Sequence, residues 1–151
     1  MQPLQGVRTE ELQVLRRFAH ACRDARHGRI LHARRGHFWD RAYHEPVNVP
    51  SITAEEAHRQ LQLDPRPRVL DVREPWEYAA GHVPGAQLIP LGELEARVAE
   101  VPRDQPILSI CQVGQRSLAA AAFLISQGYR DVTNIDGGTT AWLERGYPVD
   151  F

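Results

Sequence analysis

"ILSICQVGQRSLAAAAFLISQG", residues 107–128, sets out a strand, a loop and a helix in direct succession. Residues 107–110 are largely apolar and read as a buried strand that runs straight into Cys111. A polar loop with one glycine follows, then an Ala-rich helix over 117–127 closed by Gly128. A strand joined to a helix by so short a turn is the recurring half of a β–α–β unit, whose strands pair in parallel.

The segments on either side repeat the alternation. Upstream, "TAEEAHRQLQ" reads as a short helix capped by Thr53, and "RVLDV" (68–72) as a strand after the breakers Pro65 and Pro67. "EPWEYAAG" (74–81) is a helical turn closed by Gly81, "GAQLIP" (85–90) a strand, and 91–100 a helix. The strand before Cys111 extends over 105–110; downstream, "DVTNI" (131–135) is a strand and "GGTTAWLERG" (137–146) a final helix. Near-continuous apolar strands between helices predict an α/β fold, a parallel sheet covered on both faces. In such sheets ligands collect beyond the carboxyl ends of the strands, and there the reading places Asp71, Arg73 and Cys111 on one edge.

Length and composition bound the rest. The 151 residues suffice for one domain and one core, and 42% apolar with 25% charged residues is an ordinary globular balance. The formal net charge of −1 gives no bias toward nucleic acid or membrane. All the basic residues are Arg. Residues 1–50 hold nine of them against five acidic groups, and five of the seven His: 20, 27, 32, 37 and 44. That front third is compositionally distinct and reads as an N-terminal helical extension, with an amphipathic helix over 9–28 carrying Cys22 on its apolar face. The His spacings match no zinc-finger pattern, and Cys22 is read as a packing residue. Two cysteines make no disulfide framework, and no apolar run approaches a membrane span, so a cytoplasmic protein is expected.

The loop after Cys111 has the composition of an anion cradle. Successive backbone N–H groups in a strand–loop–helix turn aim inward, and the helix behind adds its own unsatisfied N–H groups and the positive end of its dipole. Gly114 lets the loop curl, Ser117 is the expected N-cap, and Arg116 adds a positive charge. A thiol at the mouth of this nest is expected to be largely thiolate near neutral pH.

With these residues in view, the chain resembles the rhodanese family of sulfurtransferases. "CQVGQRS" is similar to that family's C-x-x-G-x-R loop, "DVREPWEYAAGHVPGA" (71–86) to its D-x-R-x-x-x-E-[YF]-x-x-G-H-[IV]-P-G-A motif, and "GGTTAW" (137–142) to its closing G-G-x-x-A-W. The match spans residues 51–151 in order, leaving 1–50 outside it. The resemblance implies a rhodanese-like three-layer fold, a five-stranded, mostly parallel sheet with helices on both faces. It further implies that Cys111 attacks the outer sulfur of a donor such as thiosulfate or a persulfide and keeps it as a Cys111 persulfide. A thiol, a protein thiol or cyanide then removes that sulfur. Residues Gln112, Val113, Gly114, Gln115 and Ser117 are the expected persulfide cradle, with Arg116 as the anion partner and no metal or organic cofactor.

One departure bears on the donor. Many thiosulfate-using members carry a cation directly after the cysteine, where this chain has Gln112, so weak binding of thiosulfate is expected, with another donor, such as a protein persulfide, as the natural one. A non-catalytic or protein-to-protein persulfide relay is therefore the alternative function. A phosphatase or arsenate reductase fits less well: that loop has five residues between Cys and Arg, whereas four stand here, and Ile110 precedes the cysteine. Asp71 and Arg73 are expected to support the site from behind, either as an ion pair or with Asp71 orienting Arg116 or the loop; Trp76 and Trp142 are expected in the core, and His82 as a turn residue bonded to backbone.

Overall fold

The computed structural model describes residues 47–151. The sequence-based helix over 9–28, the His set and Cys22 lie outside the described residues. Five strands form one sheet: β1 (Ser51–Ile52), β2 (Arg68–Asp71), β3 (Gln87–Leu88), β4 (Ile107–Ile110) and β5 (Val132–Ile135). Their order across the sheet is β1-β5-β4-β2-β3, and every neighbouring pair is parallel. Helices α1 (Ala54–Gln60), α2 (Pro75–Ala79), α3 (Leu94–Arg97), α4 (Gln115–Ser126) and α5 (Gly138–Glu144) make the connections. Among the described residues no helix is long and apolar enough to cross a membrane.

The three central strands, β2, β4 and β5, alternate their side chains between two cores. One face of the sheet presents Leu70, Ile107 and Val132, which bury against Ala120, Ala121 and Leu124 of α4. The other presents Val69, Leu108 and Ile135 to Ala54 and Ala57 of α1 and to Trp142 of α5. Small residues on α1 and α4 let the helices lie close to the sheet, and each fully buried Leu or Ile contributes about 1.5–3 kcal/mol. Thr53 caps α1 as its sequence predicts, its side chain accepting the Glu56 N–H at 3.1 Å.

Several boundaries differ from the sequence reading. β1 is an additional strand of two residues, and β3 covers two residues of the expected six. The expected helix over 91–100 is a succession of a 3-10 turn (Leu91–Glu93), α3, and a second 3-10 turn (Val98–Glu100). Trp142 is buried, but Trp76 is 60% exposed, because α2 is barely more than one turn and buries none of its residues.

The topology opens a crevice at one point of the sheet edge. β2 and β4 are neighbours, with Asp71 opposite Ile110. The chain leaves β2 toward β3 on one side and leaves β4 toward β5 on the other. Tyr78 of α2 packs on one core while α4 packs on the other, so the two connections part to opposite faces of the sheet. Cys111 follows β4 directly at this switch point, where ligands of open parallel sheets bind.

Candidate active site

Cys111 sits at the base of the loop between β4 and α4, with 1% of its surface exposed. The Gly114 N–H donates to its Sγ at 3.1 Å, and the Ser117 hydroxyl lies 3.3 Å from the same sulfur. Gly114 makes this curl possible. Its φ of 97° and ψ of −6° are left-handed, and a Cβ there would come within 3.2 Å of the Gly137 nitrogen. Gly114, rather than Ser117, is the N-cap of α4. The helix starts earlier than its composition suggests, so Ser117 falls in the first turn, wholly buried, with its hydroxyl turned to the sulfur instead of to a backbone N–H.

A second glycine-led segment closes the loop from below. Gly138 has φ +55°, and a Cβ on it would overlap the Cys111 carbonyl oxygen and lie 2.7 Å from the Gln112 carbonyl. The backbones therefore touch, and α5 delivers its first N–H groups to the loop. Thr139 N–H donates to the Cys111 carbonyl at 2.8 Å and Thr140 N–H to the Gln112 carbonyl at 3.0 Å. The Thr139 hydroxyl adds a bond of 3.1 Å to the Cys111 carbonyl.

Gln112 is a strut between two walls. Its Nε2 donates to the Thr140 hydroxyl at 3.0 Å, and its Oε1 accepts from Arg73 Nη1 at 3.3 Å. The loop tip is different: Val113 is 44% exposed and Gln115 is exposed.

Asp71 and Arg73 form a buried ion pair, with side chains 0% and 2% exposed. Arg73 Nε and Nη2 donate to the Asp71 carboxylate at 3.1 and 2.8 Å, Nη2 also to the Gly81 carbonyl at 2.9 Å, and Nη1 to the Glu77 carbonyl at 3.1 Å and to Gln112. All five guanidinium N–H groups are thereby used, the condition under which a charge pair tolerates burial. The ionic partner of Asp71 is Arg73, and its bearing on the loop runs through Arg73 to Gln112. Arg116 takes a different carboxylate, Glu77, through two bonds of 2.7 Å.

That pairing governs the charge of the site. Burial alone would raise the Glu77 carboxyl, but the bonds from Arg116 and the Glu74 N–H, with the charges of Arg116 and Arg73, carry it below the ordinary carboxylate value. Glu77 is consequently ionised at neutral pH and compensates Arg116. His82 packs flat on Tyr78, its Nδ1 3.0 Å from the Tyr78 carbonyl, and stays at the turn. Among the described residues no group of three or more His, Cys, Asp or Glu is arranged to hold a metal ion.

The structure thus brings together Cys111, Gln112, Gly114 and Ser117, ties Arg73 to them directly, and holds Arg116 at the edge on Glu77. Sequence reading passed over Glu77 as a partner, the Thr139 and Thr140 amides, and Asn134, whose Oδ1 lies 2.7 Å from the Ser117 hydroxyl.

Known proteins resemble this chain in sequence and fold. Residues 53–145 match the model of the rhodanese-like domain. A sulfurtransferase of Allochromatium vinosum is 35% identical over 101 residues, covering 67% of this chain and 94% of that protein. The thiosulfate sulfurtransferase GlpE of Pseudoalteromonas translucida is 40% identical over 74 residues, 49% of this chain and 70% of that one. Among solved structures, a rhodanese-related protein from Thermoplasma volcanium superimposes with a TM-score of 0.61 at 37% identity, over 67% of this chain and 97% of that one. The chain belongs to the rhodanese-like domain family.

Proposed function

We propose that this protein is a sulfurtransferase that carries a sulfane sulfur on Cys111. The observation that carries the reading is the coordination of Cys111 Sγ, a buried sulfur that accepts the Gly114 N–H at 3.1 Å under a Ser117 hydroxyl at 3.3 Å. Donors fixed in place before reaction stabilise negative charge without reorganising as it develops. The names of the relatives, sulfurtransferases and a putative sulfur carrier protein of Bacillus subtilis, support the same chemistry.

The reaction runs in two balanced halves. The Cys111 thiolate attacks the outer sulfur of the donor; a sulfur–sulfur bond forms, the donor's own bond to that sulfur breaks, and the leaving group departs with the electron pair. With thiosulfate the leaving group is sulfite. The outer sulfur of the resulting persulfide rests among the amides of 112–117. An acceptor thiolate, or cyanide, then attacks that outer sulfur, and the electron pair of the broken bond returns to Cys111. There is no net oxidation, and the two halves require ping-pong kinetics.

The charge of the loop favours a thiol-borne persulfide over the thiosulfate dianion as donor. Gln112 is neutral, and the charge of Arg116 is matched by Glu77. The test is intact mass of the reduced protein after thiosulfate or a low-molecular-weight persulfide, then after cyanide, beside Cys111→Ser. A gain of one sulfur atom on the wild type alone, reversed by cyanide, supports the cycle. No gain from either donor, or an equal gain on Cys111→Ser, would overturn it.

A further inference from the structure

Beneath the sulfur lies a row of polar side chains for which the two half-reactions have no use. Ser51 on β1, Asn134 on β5 and Ser109 on β4 stand in register on three adjacent strands. They interrupt a sheet face that is otherwise apolar at Leu70, Ile107 and Val132. Asn134 is 3% exposed and Ser109 wholly buried, and the Ser109 hydroxyl has no hydrogen-bond partner among the described residues. Ser51 is exposed at the sheet edge, but Asn134 and Ser109 are buried, and buried polar groups cost free energy, so the pair calls for a role.

The row ends at the sulfur. Ser117 Oγ lies 3.3 Å from Cys111 Sγ and 2.7 Å from Asn134 Oδ1, and Asn134 Nδ2 donates to Ser51 Oγ at 3.3 Å. A hydroxyl has one proton. While the sulfur is a neutral thiol, a weak acceptor, that proton belongs to Asn134 Oδ1. When the sulfur becomes an anion it is the stronger acceptor, and the proton turns to it. Ser117 Oγ then presents lone pairs to Asn134 Oδ1, acceptor against acceptor. Half a turn of the Asn134 amide resolves this: Nδ2 donates to Ser117 Oγ, and Oδ1 accepts from Ser51, whose hydroxyl serves either way. Both bonds of the Asn134 amide, to Ser117 and to Ser51, are kept in both settings. An amide can do this; a carboxylate, which only accepts, cannot.

We propose that Asn134 is a positioning residue whose amide, backed by Ser51, switches the Ser117 hydroxyl onto Cys111 Sγ whenever that sulfur carries negative charge. The inference rests on Cys111 being the reacting sulfur, and its test needs no sulfur donor, so it can fail independently of the proposed function.

The test follows alkylation of Cys111 by iodoacetamide against pH, with peptide mapping to separate it from Cys22. The variants are Asn134→Asp, Ser117→Ala and the double variant. Asn134→Asp holds the Ser117 proton on the carboxylate; the pH of half-maximal reactivity is expected to rise by about one unit, an approximately tenfold loss of rate below it. In the Ser117→Ala background only the added charge acts, and the rise is expected to be clearly smaller. The ionised groups around the loop, Asp71 with Arg73, Glu77 with Arg116, and Asp136 beside Gly137, are common to all four proteins and drop out of the comparison. Equal rises in both backgrounds, or none, would overturn the proposal. Should Asn134→Asp not fold, the Asn134 side-chain amide resonances of the wild type give the answer. They are expected to move with the Cys111 titration and to stay fixed in Cys111→Ser; resonances that ignore the titration would refute the switch.

Discussion

Glu77 and Arg116, 39 positions apart in the chain, meet through two parallel hydrogen bonds of 2.7 Å at the edge of the Cys111 loop. The only charge within residues 112–117 is thereby matched by a carboxylate from a different strand-end connection. Glu77→Gln keeps the shape and removes the counter-charge. Its KM for thiosulfate is expected to fall by about three- to tenfold, at a stability cost of about 1–2 kcal/mol for the lost ionic bonds. Steady-state kinetics and a thermal melt decide the matter; an unchanged KM with the stability loss in full would mean that Arg116 takes no part in donor binding.

The same pair has an acid limit. The Glu77 carboxyl is lowered in the folded state, so its stabilisation is complete above the unfolded value and is lost as the pH falls through the folded one. The melting temperatures of wild type and Glu77→Gln should therefore differ by a constant amount above about pH 5 and converge as the pH falls through the lowered Glu77 value. A gap that stays undiminished all the way down to acid unfolding would mean that the pair stabilises through packing and not through ionisation.

Asp71 and Arg73 pose the opposite situation, a charge pair with no access to water. Arg73→Met leaves the Asp71 carboxylate unpaired in the interior, which is expected to cost about 3–5 kcal/mol in denaturant unfolding. It also removes the hold on Gln112, the Glu77 carbonyl and the Gly81 carbonyl. Adding Asp71→Leu removes the orphaned charge and should restore a large part of the loss. A double variant no more stable than Arg73→Met would show that the backbone carbonyls released by Arg73, not the carboxylate, carry the penalty.

The sheet, its cover on both faces and the Cys111 loop are legible because they are written locally, whereas the division into two cores is not. Four strands are apolar runs between breakers, and Gly114 marks the left-handed turn that brings its N–H to the sulfur. What was not legible depends on residues distant in the chain. β1 is two residues whose only strand signal is pairing with β5, and its Ser51 gains meaning only beside Asn134. Glu77 stands in a recognisable motif, yet nothing in the motif says that its partner is Arg116. Aromatic character alone points Trp76 to the core, but a helix of five residues offers no room for a buried stripe, and Trp76 is exposed. Serine before an Ala-rich run is usually a cap; here Gly114 takes that place, and the Ser117 hydroxyl lies between Cys111 Sγ and Asn134 Oδ1.

Gly138 carries the last prediction, because it is where α5 presses on the loop. A methyl group there meets the Cys111 and Gln112 carbonyls and sits on a backbone with φ +55°. The neighbour it strikes is backbone, which cannot swing aside as a side chain would. Gly138→Ala is expected to cost at least about 2 kcal/mol through overpacking and strain. It should also push the loop off the Thr139 and Thr140 N–H groups. A displacement of the order of an ångström at a reacting atom is enough to lower the rate about a hundredfold, so sulfur transfer should fall far more than stability alone explains. Gly92→Ala is the control: a Cβ there meets nothing within 4 Å, and the change should stay within about 0.5 kcal/mol. Measured side by side by denaturant unfolding and sulfur transfer, two equally mild variants would mean that the contact between α5 and the loop does not hold Cys111 in place.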